Sequence, residues 1–134
     1  LADRFSGTKA GNLANYYMGL IYFKKNDYQN AIKYLSNFES NDIMLSSISI
    51  GSIGDAFSEL NQYEEAYEFY TKAHEVSENN YTTPIYLFKS AIVALELGKF
   101  SSAYDNFTKI KYEYSESLQA KNIDVYISKA EALK

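Results

Sequence analysis

The stretch IGSIGDAFSELNQYEEAYEFYTKA, residues 50–73, decides the fold. It holds Gly54 and, twelve positions later, Ala66, with Phe57 and Tyr63 between them and Tyr70 and Ala73 beyond. The same frame stands on either side. Upstream, Gly19 precedes Ala31 by that interval, with Tyr22, Tyr28 and Leu35 in the matching places; downstream, Ala91 precedes Ala103, with Ala94, Phe100 and Phe107. The units recur at 35 and then 37 residues. Such a period, built from helix-spaced apolar residues, means stacked helical hairpins. Antiparallel helices approach closely where small side chains meet. The pattern therefore pairs Gly19, Gly54 or Ala91 on the first helix of a unit with Ala31, Ala66 or Ala103 on the second, and bulky neighbours fill the flanks. Lys25-Asn26-Asp27, Asn61-Gln62 and Gly98-Lys99 are polar breaks between the paired helices.

Helical spacing places helices near 9–25, 28–40, 43–60, 63–77, 83–97, 100–114 and 117–133. Thr82 or Thr83 is expected to cap the fifth, with Pro84 in its first turn, where a missing N–H costs nothing. Ser115 or Ser117 is expected to cap the last. That helix carries Ala120, Ile123, Ile127 and Ala130 on one face and is read as a cap on the third hairpin; the other reading makes it the first half of a fourth unit. The expected fold class is all-α, a right-handed α-solenoid of three hairpins plus a C-terminal capping helix. One domain is expected over 1–134, with repeats at about 12–40, 47–77 and 84–114 and the cap at about 117–133.

The frame is similar to that of the tetratricopeptide repeat family. Ile50, Ile53-Gly54, Phe57, Tyr63, Ala66, Tyr70 and Ala73 carry the resemblance in the middle unit; Gly19, Tyr22, Tyr28, Ala31 and Leu35 in the first; Ala91, Ala103 and Phe107 in the third. Phe38 and Ile110 stand where the last small residue belongs, Ala94 where an aromatic is usual, and the proline that often ends a unit is missing. Phe38 is expected to loosen or tilt the next hairpin.

In stacked hairpins the first helices line a concave groove and the second helices form the back. The groove candidates are Tyr16, Leu20, Phe23 and Lys24 from the first unit, Ser52, Asp55, Ser58 and Glu59 from the second, and Phe88, Lys89, Ile92 and Glu96 from the third. Apolar and aromatic groups flank a polar middle, a trough suited to an extended peptide or another protein's helix. Tyr16, Leu20 and Phe23 have a second reading, as packing residues against an upstream repeat. Some members of the resembled family grip a peptide's terminal carboxylate with several Lys, Arg and Asn. Here only Lys24 and Lys89 qualify, with Asp55 and Glu59 between them, which speaks against that mode.

A further resemblance lies in Gly7-Thr8-Lys9-Ala10-Gly11-Asn12-Leu13-Ala14, Gly54-Asp55-Ala56, Thr83-Pro84-Ile85-Tyr86-Leu87 and the ending Tyr114-Ser115, Ala120, Ile123, Tyr126-Ile127. These look like small envelope repeat proteins of Bacteroidetes type, similar to ancillary subunits of the secretory translocon. The resemblance implies the bacterial cell envelope, facing the periplasm, with a membrane anchor upstream of Leu1; the cytoplasm is the other compartment considered. The chain starts at Leu1 and reads as a piece of something longer. Phe5-Ser6-Gly7-Thr8 echoes Tyr114-Ser115-Glu116-Ser117, which suggests a preceding repeat; a frayed, processed or engineered terminus is the other reading.

Composition narrows the function classes. A net charge of −4 and the lack of any Lys/Arg run speak against nucleic acid. No stretch approaches the ~18 apolar residues of a membrane span, so no membrane contact is expected of residues 1–134 themselves. Cysteine is absent, which excludes disulfides and thiolate metal sites. His74 is the sole histidine, which argues against a His-pair metal site or a Ser-His-Asp arrangement. Glu64-Glu65 and Glu68 open a helix, where acids favour its dipole without a metal. Asp55 and Glu59, one turn apart, are read as a solvated face rather than a catalytic pair. Gly51 and Gly54 lack the Lys and Ser/Thr of a phosphate loop. Asn80-Tyr81-Thr82 formally matches a glycosylation acceptor. The expectation is a non-enzymatic scaffold with a protein or peptide partner and no cofactor; self-association through the terminal hairpins is compatible with it. An enzyme or small-molecule binder using the groove is the alternative.

Overall fold

The structure, a computed structural model, describes residues 8–134; the echo at residues 5–7 lies outside them. Seven α-helices and no strand occur among the described residues: α1 (Lys9–Lys24), α2 (Tyr28–Ser36), α3 (Ile43–Glu59), α4 (Tyr63–Glu75), α5 (Thr82–Glu96), α6 (Phe100–Glu113) and α7 (Ile123–Leu133). α1 packs on α2, α3 on α4 and α5 on α6, while α2 meets α3 and α4 meets α5. The result is an α-solenoid of helical hairpins. α7 lies against α6 and sends Ile123 and Ala130 into the core that Leu87, Ala91, Ala103, Phe107 and Ile110 build in the third hairpin.

The three hairpin turns are one structure repeated. Asn26, Asn61 and Gly98 occupy equivalent places and take positive φ, at 62°, 59° and 76°. The next residue's N–H then reaches back to the helix: Asp27 to the Tyr22 carbonyl (2.9 Å), Gln62 to Phe57 (2.9 Å) and Lys99 to Ala94 (2.8 Å). Each helix thereby satisfies one of its orphan carbonyls in a Schellman motif. In the first two turns a tyrosine hydroxyl two residues on, Tyr28 or Tyr63, donates to the asparagine Oδ1 at 3.0 Å. In the third turn glycine removes the amide, and Phe100 lacks the hydroxyl that would have used it. A side chain added at Gly98 meets nothing within 4 Å. The expected effect of Gly98→Ala is thus backbone strain alone, about 1 kcal/mol. Urea midpoints should show that loss, and Gly98→Asn should recover most of it.

The small residues work differently from the expectation. A Cβ on Gly54 would first meet the Tyr70 ring (2.7 Å), and one on Gly19 would first meet Leu35 (2.5 Å). Each glycine therefore makes room for the large side chain four residues after the paired alanine. Ala31, Ala66 and Ala103 are fully buried. Gly51 does the same between units: its Cβ would fall on the ring of Tyr86 from α5.

Helix ends depart from the spacing. α2 stops at Ser36, not at 40, because the Asn12 side chain captures the chain beyond it: Nδ2 donates to the Glu39 carbonyl (2.7 Å) and Oδ1 accepts from the Glu39 N–H (2.9 Å). Phe38 therefore lies past the helix and buries its ring against Tyr16, centroids 4.9 Å apart. Neither Thr82 nor Thr83 caps α5. Tyr81 stands at the N-cap, and Asn79 Oδ1, in the turn before it, accepts from the N–H groups of Tyr81 and Thr82 at 2.8 Å. Thr83 Oγ1 accepts from the Asn79 N–H, and both threonines are buried. The expected helix over 117–133 is broken. Ser117 caps a 3₁₀ turn (Leu118–Ala120), Lys121 is extended, and Asn122 turns left-handed at φ 60° before α7 begins. In α1, Asn15 is completely buried and neither polar atom of its amide has a hydrogen-bond partner among the described residues.

Candidate binding groove

The twelve groove candidates sit on α1, α3 and α5, the first helices of the three hairpins. In the middle, residues from three helices converge on one carboxylate. Lys89 Nζ lies 2.9 and 3.2 Å from the two Asp55 oxygens. The Tyr70 hydroxyl, reaching over from α4, donates to Asp55 Oδ1 at 2.6 Å. Tyr70 and Tyr86 stack at 6.2 Å, and the Lys89 ammonium lies 5.9 and 5.7 Å from their ring centroids. The groove charges that the sequence places in separate units thus form one pair, and Asp55 and Lys89 cancel.

Burial, and then the Asp55 charge, hold the Tyr70 and Tyr86 hydroxyls protonated far above the ordinary tyrosine range. Tyr16 is close enough to add to the effect on Tyr86, and its own hydroxyl is raised by burial and by Tyr17. Around this centre the groove mixes apolar and polar side chains. Leu20 and Ile92 are half-buried, as are Ser52 and Ser58. Phe23 meets Tyr28 edge-on at 5.3 Å. Lys24 is exposed and makes no ion pair among the described residues, and Glu59 and Glu96 are exposed. Phe88 is the exception: its ring is taken up edge-on by Phe107 (5.8 Å) and by Tyr126 of α7 (5.0 Å), so it belongs to the cap packing as much as to the groove.

Tyr70, Tyr86 and Gly51 are the neighbours of the groove centre that sequence reading missed. The signal was two glycines three apart in α3. Each marks a close approach from a different side, and only Gly54 was given one. His74 is half-buried, and burial lowers its proton affinity, in keeping with a packing role. No group of three or more His, Cys, Asp or Glu side chains gathers as metal ligands among the described residues. No described helix is long and apolar enough to cross a membrane.

Residues 49–80 and, separately, residues 13–41 match models of the tetratricopeptide repeat. No curated protein matches the chain. Among solved structures the chain is similar to the TPR2B domain of yeast Sti1 in its complex with pHsp70, with a TM-score of 0.68 and 19% identity over 92% of this chain and 98% of that one. It is similar to PcrH in complex with the chaperone binding region of PopB, at 0.67 and 17% over 95% and 97%. PcrH from Pseudomonas aeruginosa gives 0.66 and 17% over 94% and 90%. At these identities the likeness is one of fold.

Proposed function

From a chain built on tetratricopeptide repeats, we propose a protein-interaction scaffold that holds an internal segment of a partner protein in the groove of α1, α3 and α5. The observation that carries this is the Asp55–Lys89 pair with its Tyr70 hydrogen bond. A groove that has neutralised its own central lysine offers little to a terminal carboxylate. It offers aromatic and aliphatic area to side chains on either side of that centre. Tyr16, Leu20, Phe23 and Ile92 supply contact area, since rigid rings bury much surface for little entropy. Lys24 and the central pair set register more than strength. The Sti1 and PcrH structures, each with a bound protein segment, lend support by fold. We read residues 1–134 as one repeat domain with the third hairpin, α5–α6, as its last repeat and α7 as the cap.

Binding is tested by pull-down with the full-length protein followed by substitutions. Ser52→Arg and Leu20→Ser, both on the groove, should lower partner retention at least tenfold while circular dichroism stays unchanged. Glu68→Arg on the back should leave retention intact. Unchanged retention in both groove variants overturns the assignment.

We place the protein at the bacterial cell envelope, facing the periplasm, on the sequence resemblance carried by Gly7–Ala14, Gly54–Ala56, Thr83–Leu87 and the ending Tyr114-Ser115, Ala120, Ile123 and Tyr126-Ile127. Fractionation of cells making the full-length protein tests this. Recovery in the cytosol alone overturns it.

A further inference from the structure

The outer face of α1 carries Leu13, Tyr17 and Ile21, four residues apart, at 44%, 55% and 46% exposure. The repeat frame says what such a face is for. Seventy-two residues on, the same register positions in α5 are Ile85, Lys89 and Val93. There they are covered by α4: Val93 is 5% exposed and lies with Ile85 on the cluster made by Ala66, Tyr70 and Ala73. Lys89 lies over the Tyr70 ring. The equivalent face of α3, at Ile48, Ser52 and Ala56, is turned toward the preceding hairpin through α2. On α1 nothing among the described residues takes that place, although its three side chains are larger than those of α3.

Charge selects the occupant. From Lys9 to Lys25 the chain has three lysines, all exposed, and no acid. α4, the helix that covers the corresponding face of α5, begins with Glu64 and Glu65 and also carries Glu68 and Glu75. A second α1 laid antiparallel would set Lys9 against Lys24 and is disfavoured. We propose that α1 is a second docking surface, separate from the groove, and that it receives an acidic amphipathic α-helix of a partner protein, laid along Leu13, Tyr17 and Ile21 as α4 lies along α5. Apolar burial holds the helix, and the lysines at both ends of α1 select its charge.

The probe is a stapled helical peptide with the sequence of residues 61–76. The staple replaces Glu68 and Lys72, which are exposed and paired with each other. It retains Glu64, Glu65 and Glu75. Fluorescence anisotropy against the intact chain should show saturable binding that weakens as salt is raised. Ile21→Asp and Tyr17→Asp, each checked for helicity, should lower affinity at least tenfold. Val125→Asp, at the other end of the described stack, should not change it. A peptide with Glu64, Glu65 and Glu75 replaced by lysine should fail to bind. The proposal is overturned if the acidic peptide does not bind, if it binds the folded Ile21→Asp and Tyr17→Asp variants as well as the parent, or if the lysine peptide binds equally. It is also overturned if sedimentation without peptide shows a dimer that Ile21→Asp dissolves, since a second copy then occupies the face.

Discussion

Gly51→Leu is expected to lower the stability of the fold by about 3 kcal/mol, at the upper end of ordinary overpacking. The cause is specific. A Cβ at this position falls on the ring of Tyr86, and that ring is buried and stacked on Tyr70. Both rings are buried, so the packed Tyr86 ring or the helices themselves must shift. Gly51→Ala is the sharper test, because its sign decides. Inside an ordinary helix, glycine to alanine gains up to about 1 kcal/mol. Here the same change should lose stability, seen as a lower denaturant midpoint with an unchanged slope. Pairing it with Tyr86→Ala should erase the penalty in a double-mutant cycle. If Gly51→Ala raises the midpoint in the parent, the assigned contact is wrong.

A cooperative alkaline unfolding is the second large effect. An unfolded tyrosine loses its proton near pH 10, by the usual value of about 10. In the fold, burial and the Asp55 charge keep Tyr70 and Tyr86 protonated well above that. Tyr114 is pushed up to about 12 by burial and by the hydrogen bond its hydroxyl donates to Glu78. Above pH ~10 the unfolded state therefore binds fewer protons than the native state, and stability falls as pH rises. The contribution is fully present below that pH. Tyr70 and Tyr86 should each add up to about 1.4 kcal/mol of loss per pH unit. Tyrosinate absorbance and helical ellipticity should change together in one transition. If all tyrosines ionise near pH ~10 while helicity persists, the cluster is not closed.

The fold was legible because the decisive contacts repeat. Gly19, Gly54 and Ala91 recur in register with Ala31, Ala66 and Ala103, and a recurrence of that kind survives the substitution of any one member. Which side chain faces which was less legible. The glycines could be seen, but that Leu35 and Tyr70 rather than the alanines fill the space in front of them follows from the offset of two helices, which spacing along one chain does not record. Helix ends were lost to side-chain contacts that helical spacing does not record. Asn12 stops α2 from 27 residues away, and Asn79 rather than either threonine accepts the first N–H of α5. In the groove, Asp55 and Lys89 were both identified, but their pairing spans 34 residues and needs the stacking geometry of two units. Phe88 was placed in the groove by its position on α5, and its edge contact with Tyr126 comes from a helix that begins only after the break at Lys121 and Asn122.

The buried amide of Asn15 carries a consequence for the order in which the stack comes apart. Its register partners in the later units are Ile50 and Leu87, apolar residues that gain from burial. A carboxamide without partners pays the desolvation cost of its polar atoms and returns none of it. Each hairpin touches chiefly its sequence neighbours, so stability is distributed along the array rather than shared throughout it. The first hairpin holds this amide, which has no hydrogen-bond partner among the described residues. It is the unit whose local opening costs least, and amide exchange should run fastest there and slowest in α3 to α5. A partner gripping α1 would therefore quench motion where the described stack opens most readily.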